Sequence, residues 1–273
     1  MSTPVYKIQA FNTAEVFMPG PFFVHHWFTS EFIPVPCYMF LITGENIPPI
    51  IVDTGVMEDC PTLKNNYPEM TGVNDDPKWH VANFLEKVGL KFEDIKIILH
   101  THLHVDHAGN DRLFPNARIV IARKEMQYSV SNIDPGYPTE YIGYLVSQLK
   151  TPGKICLFDD DFELFPGIRL SVLGGHTDGS TGIYVNTENG VACLSGDIIY
   201  SYQKQCVADP MGRPETAACY NSACECFGAM PSGNCNSLLD ARRAIAKLNH
   251  TCDIILPCHD REQVEKYIEV IPN

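Results

Sequence analysis

The stretch His100-Thr-His-Leu-His-Val-Asp-His-Ala-Gly109 decides the fold, because it follows a run of β-forming residues and is crowded with histidines. Its metal-type side chains follow the pattern H-x-H-x-D-H, with His102, His104, Asp106 and His107. Two histidines at i and i+2 of an extended segment point to the same side, and the following turn into a helix aims the last two side chains nearby. Imidazole and carboxylate groups suit zinc and its first-row neighbours. The cluster therefore predicts the start of two adjacent metal sites.

Four ligands do not complete two metal sites, and three later stretches supply more. Each follows a predicted strand: Gly174-Gly-His-Thr177, Ser195-Gly-Asp197 and Leu256-Pro-Cys-His259. They add the imidazoles of His176 and His259 and the carboxylate of Asp197, which suits a bridge between two cations. Because groups beyond the carboxyl ends of neighbouring strands meet at one edge of the layers, we expect all these side chains to converge.

Hydrophobic periodicity divides the rest of the chain into alternating strands and helices. Short β-forming runs predict strands at Tyr38–Ile42, Ile50–Val52, Ile95–Leu99, Ala117–Ile121, Ile168–Leu173, Gly182–Val185, Val191–Leu194 and Asp253–Leu256. Helical spacing predicts a helix over 78–90, with Asp76 as its N-cap and a weak end at Gly89, and a second helix over 238–248. Strands interleaved with helices predict a layered α/β or mixed α+β domain.

Two segments lack periodicity and are predicted to be long loops. Residues 17–36 hold several aromatic side chains among four prolines, and residues 201–236 are dense in cysteine, glycine and proline. Loops of this length in a compact domain are usually lids or binding loops, so we expect both to border the substrate pocket. The whole chain, 1–273, is interpreted as one domain.

Composition argues against several kinds of partner. The 273 residues are 45% hydrophobic, as in ordinary globular chains, and their net charge of −13 gives no general attraction to nucleic acid or anionic membranes. The sequence has neither a membrane-spanning apolar stretch nor a signal peptide, so a cytoplasmic location is expected. The odd number of cysteines, 11, then favours reduced thiols over a disulfide framework.

Some metal-type residues are left out of the predicted site. Four cysteines between 219 and 235 could bind a further zinc ion or an iron–sulfur cluster, but their spacing lacks the paired C-x-x-C of common zinc modules. Free thiols are favoured there, with redox sensing as a lesser alternative. His25 and His26 are assigned to the rim of the aromatic loop. His100 is assigned to the interior, either directly behind the metal ligands or in the core, because its alternation faces away from the metal edge.

The motifs together resemble those of the metallo-β-lactamase superfamily. In family order, the matching residues are Asp53, His102, His104, Asp106, His107, His176, Asp197 and His259. The chain resembles the quorum-quenching N-acyl homoserine lactonases still more closely, through stretches such as Ile33–Tyr38, Ile50–Gly55 and Thr101–Gly109. Those lactonases also have a tyrosine three residues after the bridging aspartate, where this chain has Tyr200.

The resemblance implies an αββα sandwich with two divalent metal ions at its edge. Zinc is the first choice, and manganese, iron or cobalt are alternatives. One ion would bind His102, His104 and His176, the other Asp106, His107 and His259, with Asp197 as the bridge. Asp53 would orient a ligand through a hydrogen bond.

The implied reaction is the opening of a lactone ring, in an N-acyl homoserine lactone or a related cyclic ester. A hydroxide that bridges the two ions would attack the carbonyl, and Tyr200 would polarise the carbonyl oxygen. Asp106 would pass a proton to the leaving alkoxide as general acid. The implied partner is a small lactone-like molecule bound to a monomer or homodimer, with no nucleic acid and no membrane.

Other activities stay open at this point. A glyoxalase II-like thioesterase would have a helical substrate domain after the last ligand, whereas only residues 260–273 follow His259. An exported β-lactamase would commonly have cysteine in place of Asp197, and a persulfide dioxygenase would bind one iron ion. Hydrolysis of another cyclic ester or amide and a catalytically silent metal-binding sensor are further alternatives. The usual T-P-G-H of the family is also changed here, to Leu173-Gly-Gly-His176.

Overall fold

The computed structural model describes residues 3–25, 32–58, 77–131, 139–207 and 230–273, and their strands form two sheets. The first sheet contains β1 (Lys7–Pro19), β2 (Phe32–Thr43), β3 (Ile50–Val52), β4 (Ile97–Leu99), β5 (Arg118–Ala122), β6 (Ile155–Phe158) and, near the end of the chain, β12 (Glu269–Ile271). Their order across the sheet is β12-β1-β2-β3-β4-β5-β6. Strands β3 to β6 run parallel, whereas β1 and β2 form a long antiparallel pair.

The second sheet contains β7 (Phe162–Phe165), β8 (Ile168–Val172), β9 (Thr181–Thr187), β10 (Gly190–Gly196) and β11 (Ile254–Pro257), in the order β11-β10-β9-β8-β7. Its strands pair antiparallel, except that β11 is parallel to β10. The described α-helices are α1 (Gly20–Phe23), α2 (Val81–Lys87), α3 (Arg123–Ser129), α4 (Thr139–Gln148), α5 (Leu238–Thr251) and α6 (Arg261–Tyr267). Within the described ranges, no helix has the length and apolar character needed to cross a membrane.

Alternating side chains of the sheets build the layers of the molecule. Val52 and Leu99 of the first sheet pack against Leu194 of the second, in the core between the sheets. Ile51 points to the opposite face, where it shares a second core with Phe84 of α2. On the outer face of the second sheet, α5 packs through a third apolar cluster. The predicted αββα sandwich is confirmed.

One edge of the sandwich is formed by the carboxyl ends of four strands. Asp53 follows β3 directly, and the histidine-rich stretch 100–109 follows β4. In the second sheet, β10 ends at the residue before Asp197, and β11 ends two residues before His259. The connectivity therefore brings residues from distant parts of the sequence to a single edge.

The elements predicted from periodicity are present, with shifts at their ends. Each of the predicted strands overlaps an observed one, and the first predicted helix is observed as a 3₁₀ turn, Pro77–Trp79, followed by α2. Helix α2 ends at Lys87, and the φ of 72° at Gly89 lets the Leu90 N–H donate to the Leu85 carbonyl and close the C-terminus. The predicted N-cap, Asp76, lies outside the described residues.

The prediction of an irregular loop over residues 17–36 is wrong where the structure describes this segment. Residues 17–19 end β1, residues 20–23 form α1, and residues 32–36 begin β2. The rest of the predicted loop, residues 26–31, lies outside the described part of the chain. The described ends of the aromatic segment, residues 17–19 and 32–36, therefore extend the antiparallel pair of β1 and β2.

The start of β2 was not predicted because it contains two prolines, and a proline cannot donate a hydrogen bond to a neighbouring strand. Pro34 and Pro36 share their side of β2 with Tyr38, whose N–H donates to the Cys258 carbonyl and not to β1. Strand β3 pairs with β2 only from Phe40 onward. The missing N–H groups therefore fall on a part of β2 that has no neighbouring strand on that side among the described residues, where proline is tolerated.

Candidate metal centre

Asp53 forms a network of hydrogen bonds beneath the predicted site. It has a φ of 55°, a left-handed conformation that few residues other than glycine, asparagine and aspartate adopt. Its Oδ1 accepts from the Thr101 N–H at 2.9 Å, and its Oδ2 accepts from the Thr101 hydroxyl at 2.7 Å. Oδ2 also lies 2.9 Å from Nδ1 of His107. The carboxylate thus anchors the start of the histidine-rich stretch and orients the ring of His107.

A first group of ligand atoms comes from His102, His104, His176 and Asp197, all buried and all within 4.8 Å of one another. Nδ1 of His104 lies 3.1 Å from Nε2 of His102 and 2.9 Å from Nε2 of His176. Oδ2 of Asp197 lies 3.7 Å and 3.5 Å from the same two Nε2 atoms. Three imidazoles and a carboxylate therefore face one point, and they are the residues predicted for the first ion and the bridge.

A second group comes from His107, Asp197, Cys258 and His259. Oδ1 of Asp197 lies 3.1 Å from Nε2 of His107 and 3.2 Å from Nε2 of His259. The Asp197 carboxylate is therefore common to both groups, with one oxygen toward each. Cys258 was not among the predicted site residues, although it directly precedes a predicted ligand.

Asp106 lies beside the second group. Its Oδ2 is 3.3 Å from Nε2 of His259, and its Oδ1 is 3.7 Å from Nε2 of His107. With Cys37 and His259 it forms a further set of possible ligands. Its side chain is 14% exposed, whereas that of Asp197 is 2% exposed, so Asp106 is the carboxylate closer to solvent.

The ligand histidines of the later stretches are held through Nδ1. Nδ1 of His176 lies 2.5 Å from the Asn234 carbonyl oxygen, and Nδ1 of His259 lies 2.7 Å from the Pro36 carbonyl oxygen. A neutral histidine that donates from Nδ1 presents an unprotonated Nε2, which is the form that binds a metal. Nε2 of His259 is buried, and its contacts of 3.2 Å with Asp197 and 3.3 Å with Asp106 lack hydrogen-bond geometry.

The pKa values of the histidines are shifted in opposite directions in the two groups. Burial lowers the pKa of His102 well below its ordinary value and that of His176 to about 4, so both rings are neutral at pH 7. Burial also opposes charge on His107 and His259, but the surrounding acidic groups outweigh it and their pKa values lie well above the ordinary range. The second group thus stabilises positive charge, which a bound cation would supply.

Tyr200 lies against both groups. Its hydroxyl donates to Oδ2 of Asp197 at 2.5 Å, and its ring stacks on His259 with centroids 5.0 Å apart and planes 9° apart. Burial and then the Asp197 charge raise the pKa of Tyr200 well above its ordinary value, so the phenol keeps its proton. The side-chain amide of Asn234 lies 3.5 Å from the same hydroxyl.

Two supporting residues had no signal in the sequence. Buried Glu125 of α3 accepts from the Leu103 N–H at 2.8 Å and from the Thr177 hydroxyl at 2.5 Å, which ties two ligand-bearing segments together. A glutamate in the first turn of a helix is common, so nothing marked it. Asn234 lies in the cysteine-rich segment, where no periodicity placed it near His176.

Of the residues left out of the predicted site, some lie in the described part of the chain and others do not. His100 is buried, with Nε2 3.0 Å from Asp111 and Nδ1 3.3 Å from Asp53, so its assignment to the interior is confirmed. His26 and the cysteines at 219, 224 and 226 lie outside the described residues. The described cysteines Cys37, Cys156, Cys193, Cys206, Cys235, Cys252 and Cys258 are free thiols.

The donor set fits divalent metal ions. Imidazole nitrogens and a shared carboxylate are ligands that zinc and its neighbours prefer. The buried Nε2 of His259, whose contacts lack hydrogen-bond geometry, and the close approach of three ring nitrogens around His104 are both arrangements that a cation would satisfy. The residues present are therefore suited to hold metal cofactors.

Residues 32–259 match the model of the metallo-beta-lactamase superfamily, which is most of the chain. The fold and the order of the site residues agree with that match. The chain belongs to the metallo-beta-lactamase superfamily.

Several relatives of this chain are named N-acyl homoserine lactonases. The protein of Bacillus cereus is 32% identical over 181 residues, which cover 62% of this chain and 65% of the relative. The protein of Agrobacterium fabrum is 28% identical over 166 residues, 57% of this chain and 59% of the relative. In both cases the match spans less than two thirds of the relative's own length.

Solved structures of similar fold align over nearly the whole chain. An N-acyl homoserine lactone hydrolase with the product N-hexanoyl-L-homoserine at its catalytic metal centre has a TM-score of 0.72 at 22% identity, covering 100% of this chain and 99% of that one. The dizinc quorum-quenching lactonase AidC has a TM-score of 0.65 at 17% identity, covering 100% and 96%. At these identities the likeness shows a shared fold.

Proposed function

We propose that this protein is a metal-dependent hydrolase that opens the ring of an N-acyl homoserine lactone or a related cyclic ester. The observation that carries the proposal is the Asp197 carboxylate, whose two oxygens each face a separate set of imidazoles. Two ligand sets that share one carboxylate suit a pair of divalent ions, with zinc as the first choice and manganese, iron or cobalt as alternatives. The lactonases among the relatives support a lactone as the substrate.

The ligands are assigned to the two proposed ions according to the group of ligand atoms in which each one lies or to which it is adjacent. The first ion is assigned His102, His104 and His176, the second is assigned Asp106, His107 and His259, and Asp197 is shared. Asp53 is assigned no ion, because its oxygens are engaged by Thr101 and His107. It instead fixes the tautomer and orientation of His107, a role in which such partners strengthen metal binding.

The bound ions would supply a water of lowered pKa and would polarise the ester carbonyl. Asp106 would transfer a proton from the attacking water to the leaving alkoxide. Burial alone would raise the pKa of Asp106, but His107 and His259 outweigh burial and lower it to about 2, so the group starts as a carboxylate. As a carboxylate beside the second ligand group, it would accept the proton that the attacking water gives up and pass it to the leaving alkoxide.

Tyr200 would stabilise the oxyanion. Its protonated hydroxyl is a donor at the site, and it can turn from Asp197 to the carbonyl oxygen of a bound ester. A hydrogen bond to the oxyanion is stronger than one to the neutral carbonyl, so this contact would favour the transition state. The amide of Asn234, close to the same hydroxyl, would limit where that hydroxyl can point.

The segments 17–36 and 201–236 are proposed to border the substrate pocket within one domain. In their described parts the two segments contact each other, since the Gly233 N–H donates to the Phe22 carbonyl at 3.1 Å and the His25 N–H to the Pro231 carbonyl at 2.9 Å. The Phe23 ring lies 5.7 Å from the Tyr200 ring. These contacts support an apolar border next to the proposed oxyanion donor, which would suit an acyl chain.

The proposal is tested with purified protein of measured metal content. We expect ring opening of N-acyl homoserine lactones to be faster than hydrolysis of cyclic amides or thioesters in a matched panel, and to depend on bound metal. A preference for thioesters with metal bound would replace the substrate class. Hydrolysis by protein free of metal would contradict the metal-dependent reaction itself.

A further inference from the structure

Cys258 lies inside the second group of ligand atoms. It follows β11 directly and is buried. Its Sγ donates to Oδ1 of Asp197 at 2.8 Å and lies 3.8 Å from Nε2 of His107. That same carboxylate oxygen is the one 3.1 Å from His107 and 3.2 Å from His259. The sulfur therefore adjoins the atoms to which a second ion would bind.

A second observation points to a ligand at this position. Nε2 of His259 is buried and aimed into the same group, and its contacts of 3.2 Å with Asp197 and 3.3 Å with Asp106 lack hydrogen-bond geometry. A buried polar nitrogen left in this way is destabilising, so native structures rarely keep one without a reason. The nitrogen, the Cys258 sulfur, the Asp197 oxygen and the His107 nitrogen all lie within 4.8 Å of one another.

We propose that Cys258 is a sulfur ligand of the second metal ion, together with His107, Asp197 and His259. The inference rests on the proposed metal-dependent function and adds a ligand to it. On binding, a sulfur–metal bond forms and the thiol proton leaves to water, as happens to thiols that coordinate a cation. The hydrogen bond from Cys258 to Asp197 is lost in that step, which frees Oδ1 of Asp197 to bind the ion.

The sulfur makes the two metal positions chemically different. The first group offers three imidazoles and a carboxylate, with no cysteine in the set. The second adds a soft sulfur donor, which favours zinc over harder ions such as manganese or magnesium. Asp106, which is assigned to the same ion, lies on the solvent side of the second group and stays close enough to His259 to handle protons.

X-ray absorption at the zinc edge tests the ligand directly. Protein loaded with zinc should show a sulfur shell at about 2.3 Å beside the shorter nitrogen and oxygen shell at about 2.0–2.2 Å. The sulfur shell should vanish in Cys258→Ser and Cys258→Ala. It should persist in the control Cys193→Ala, because Cys193 is equally buried but packs against α5 in the third apolar cluster.

Cobalt substitution gives a second readout, with metal content measured on each sample. The wild type should show an intense near-ultraviolet sulfur-to-cobalt charge-transfer band, and Cys258→Ser should lose it while keeping a bound metal in the first group. Two bound metals with only nitrogen and oxygen ligands in the wild type would overturn the inference and leave the proposed function intact. The inference would also be overturned if Cys258→Ala kept the charge-transfer band and Cys37→Ser removed it. In the wild type, the Cys37 sulfur lies 3.9 Å from Asp106. Failure of the wild type to bind any metal would overturn both.

Discussion

Oδ2 of Asp53 lies 2.9 Å from Nδ1 of His107, although 54 positions separate the two residues in the chain. Asp53 leaves β3 in a left-handed conformation, and His107 lies beyond β4, which pairs with β3 in parallel. The contact is therefore a product of the parallel pairing at the site's edge. It holds the His107 ring so that Nε2 faces Asp197 at 3.1 Å.

Replacing Asp53 with asparagine should weaken metal binding at the second group. Asparagine tolerates the left-handed conformation, so the backbone should be kept. With its oxygen toward the Thr101 N–H, the amide places its NH2 group, which only donates, against Nδ1 of His107, so this ring loses its fixed tautomer. We expect metal affinity to fall about 10–100-fold, as is typical when such partners are lost. Competition with a chelator measures it, with Asp160→Asn on the exposed loop after β6 as control.

Removal of the metal should abolish hydrolysis and lower the free energy of unfolding. The ligands come from several strand ends that meet only in the folded chain, so the ions bind the folded state. At free metal a hundred times its dissociation constant, one site contributes about 2.7 kcal/mol. We expect close to two equivalents of metal by elemental analysis, and a melting temperature that rises with added zinc. Full activity after exhaustive chelation would contradict the proposed function.

Most of the predicted site could be read from the sequence because its residues follow β-forming runs directly. His176 and His259 each come a few residues after such a run, and strands in one sheet bring their ends together. Cys258 was missed because adjacent residues of an extended segment point in opposite directions. The chain turns after β11, and the turn brings the side chains of both Cys258 and His259 to Asp197.

Supporting contacts between distant segments could not be predicted. Asn234 and His176 are 58 positions apart, and Glu125 reaches Leu103 across 22 positions, without a periodic pattern that links either pair. Strand β1 was missed for a related reason. Its buried Asn12 interrupts the apolar pattern, and only the pairing with β2 explains it, since its Oδ1 accepts from the Cys37 N–H at 3.0 Å.

Gly109 ends the histidine-rich stretch and packs against the loop after β3. An alanine should not fit at this position. A Cβ at Gly109 would lie 2.2 Å from the backbone nitrogen of Met57 and 2.7 Å from the carbonyl oxygen of Gly55. Because backbone cannot yield as a side chain can, we expect Gly109→Ala to lower the free energy of unfolding by about 1–3 kcal/mol. Chemical denaturation measures it. The control is Gly143→Ala in α4, where a Cβ meets nothing within 4 Å and should stabilise by about 0.5–1 kcal/mol.

Asp106→Asn should lower turnover by at least about a hundredfold, because the proposed proton carrier is lost together with a ligand of the second ion. The amide cannot take a proton from the attacking water at neutral pH. Turnover of a lactone should be measured on protein whose metal content is known, so that loss of metal and loss of proton transfer can be separated. Wild-type turnover with both metals bound would assign the proton transfer to another group.

Tyr200→Phe separates the proposed lactone chemistry from other uses of the same metal site. The change removes a hydroxyl that donates to Asp197 and is proposed to turn toward the substrate. The ring should keep its stack on His259, so the fold and metal content should be unchanged. Because the metals would carry most of the oxyanion charge, we expect a partial loss, about 10–100-fold in kcat/KM for a lactone, or about 1.4–2.7 kcal/mol.

A change in kcat/KM without a change in bound metal is the signature of a lost transition-state contact at Tyr200. A merely packing role would instead lower thermal stability and leave the rate per folded, metal-loaded molecule unaltered. Both quantities are therefore measured on the same sample of Tyr200→Phe. If that variant opens lactones at the wild-type rate, the phenol is not the oxyanion donor, and the neighbouring amide of Asn234, 3.5 Å from the hydroxyl, becomes the side chain to substitute next.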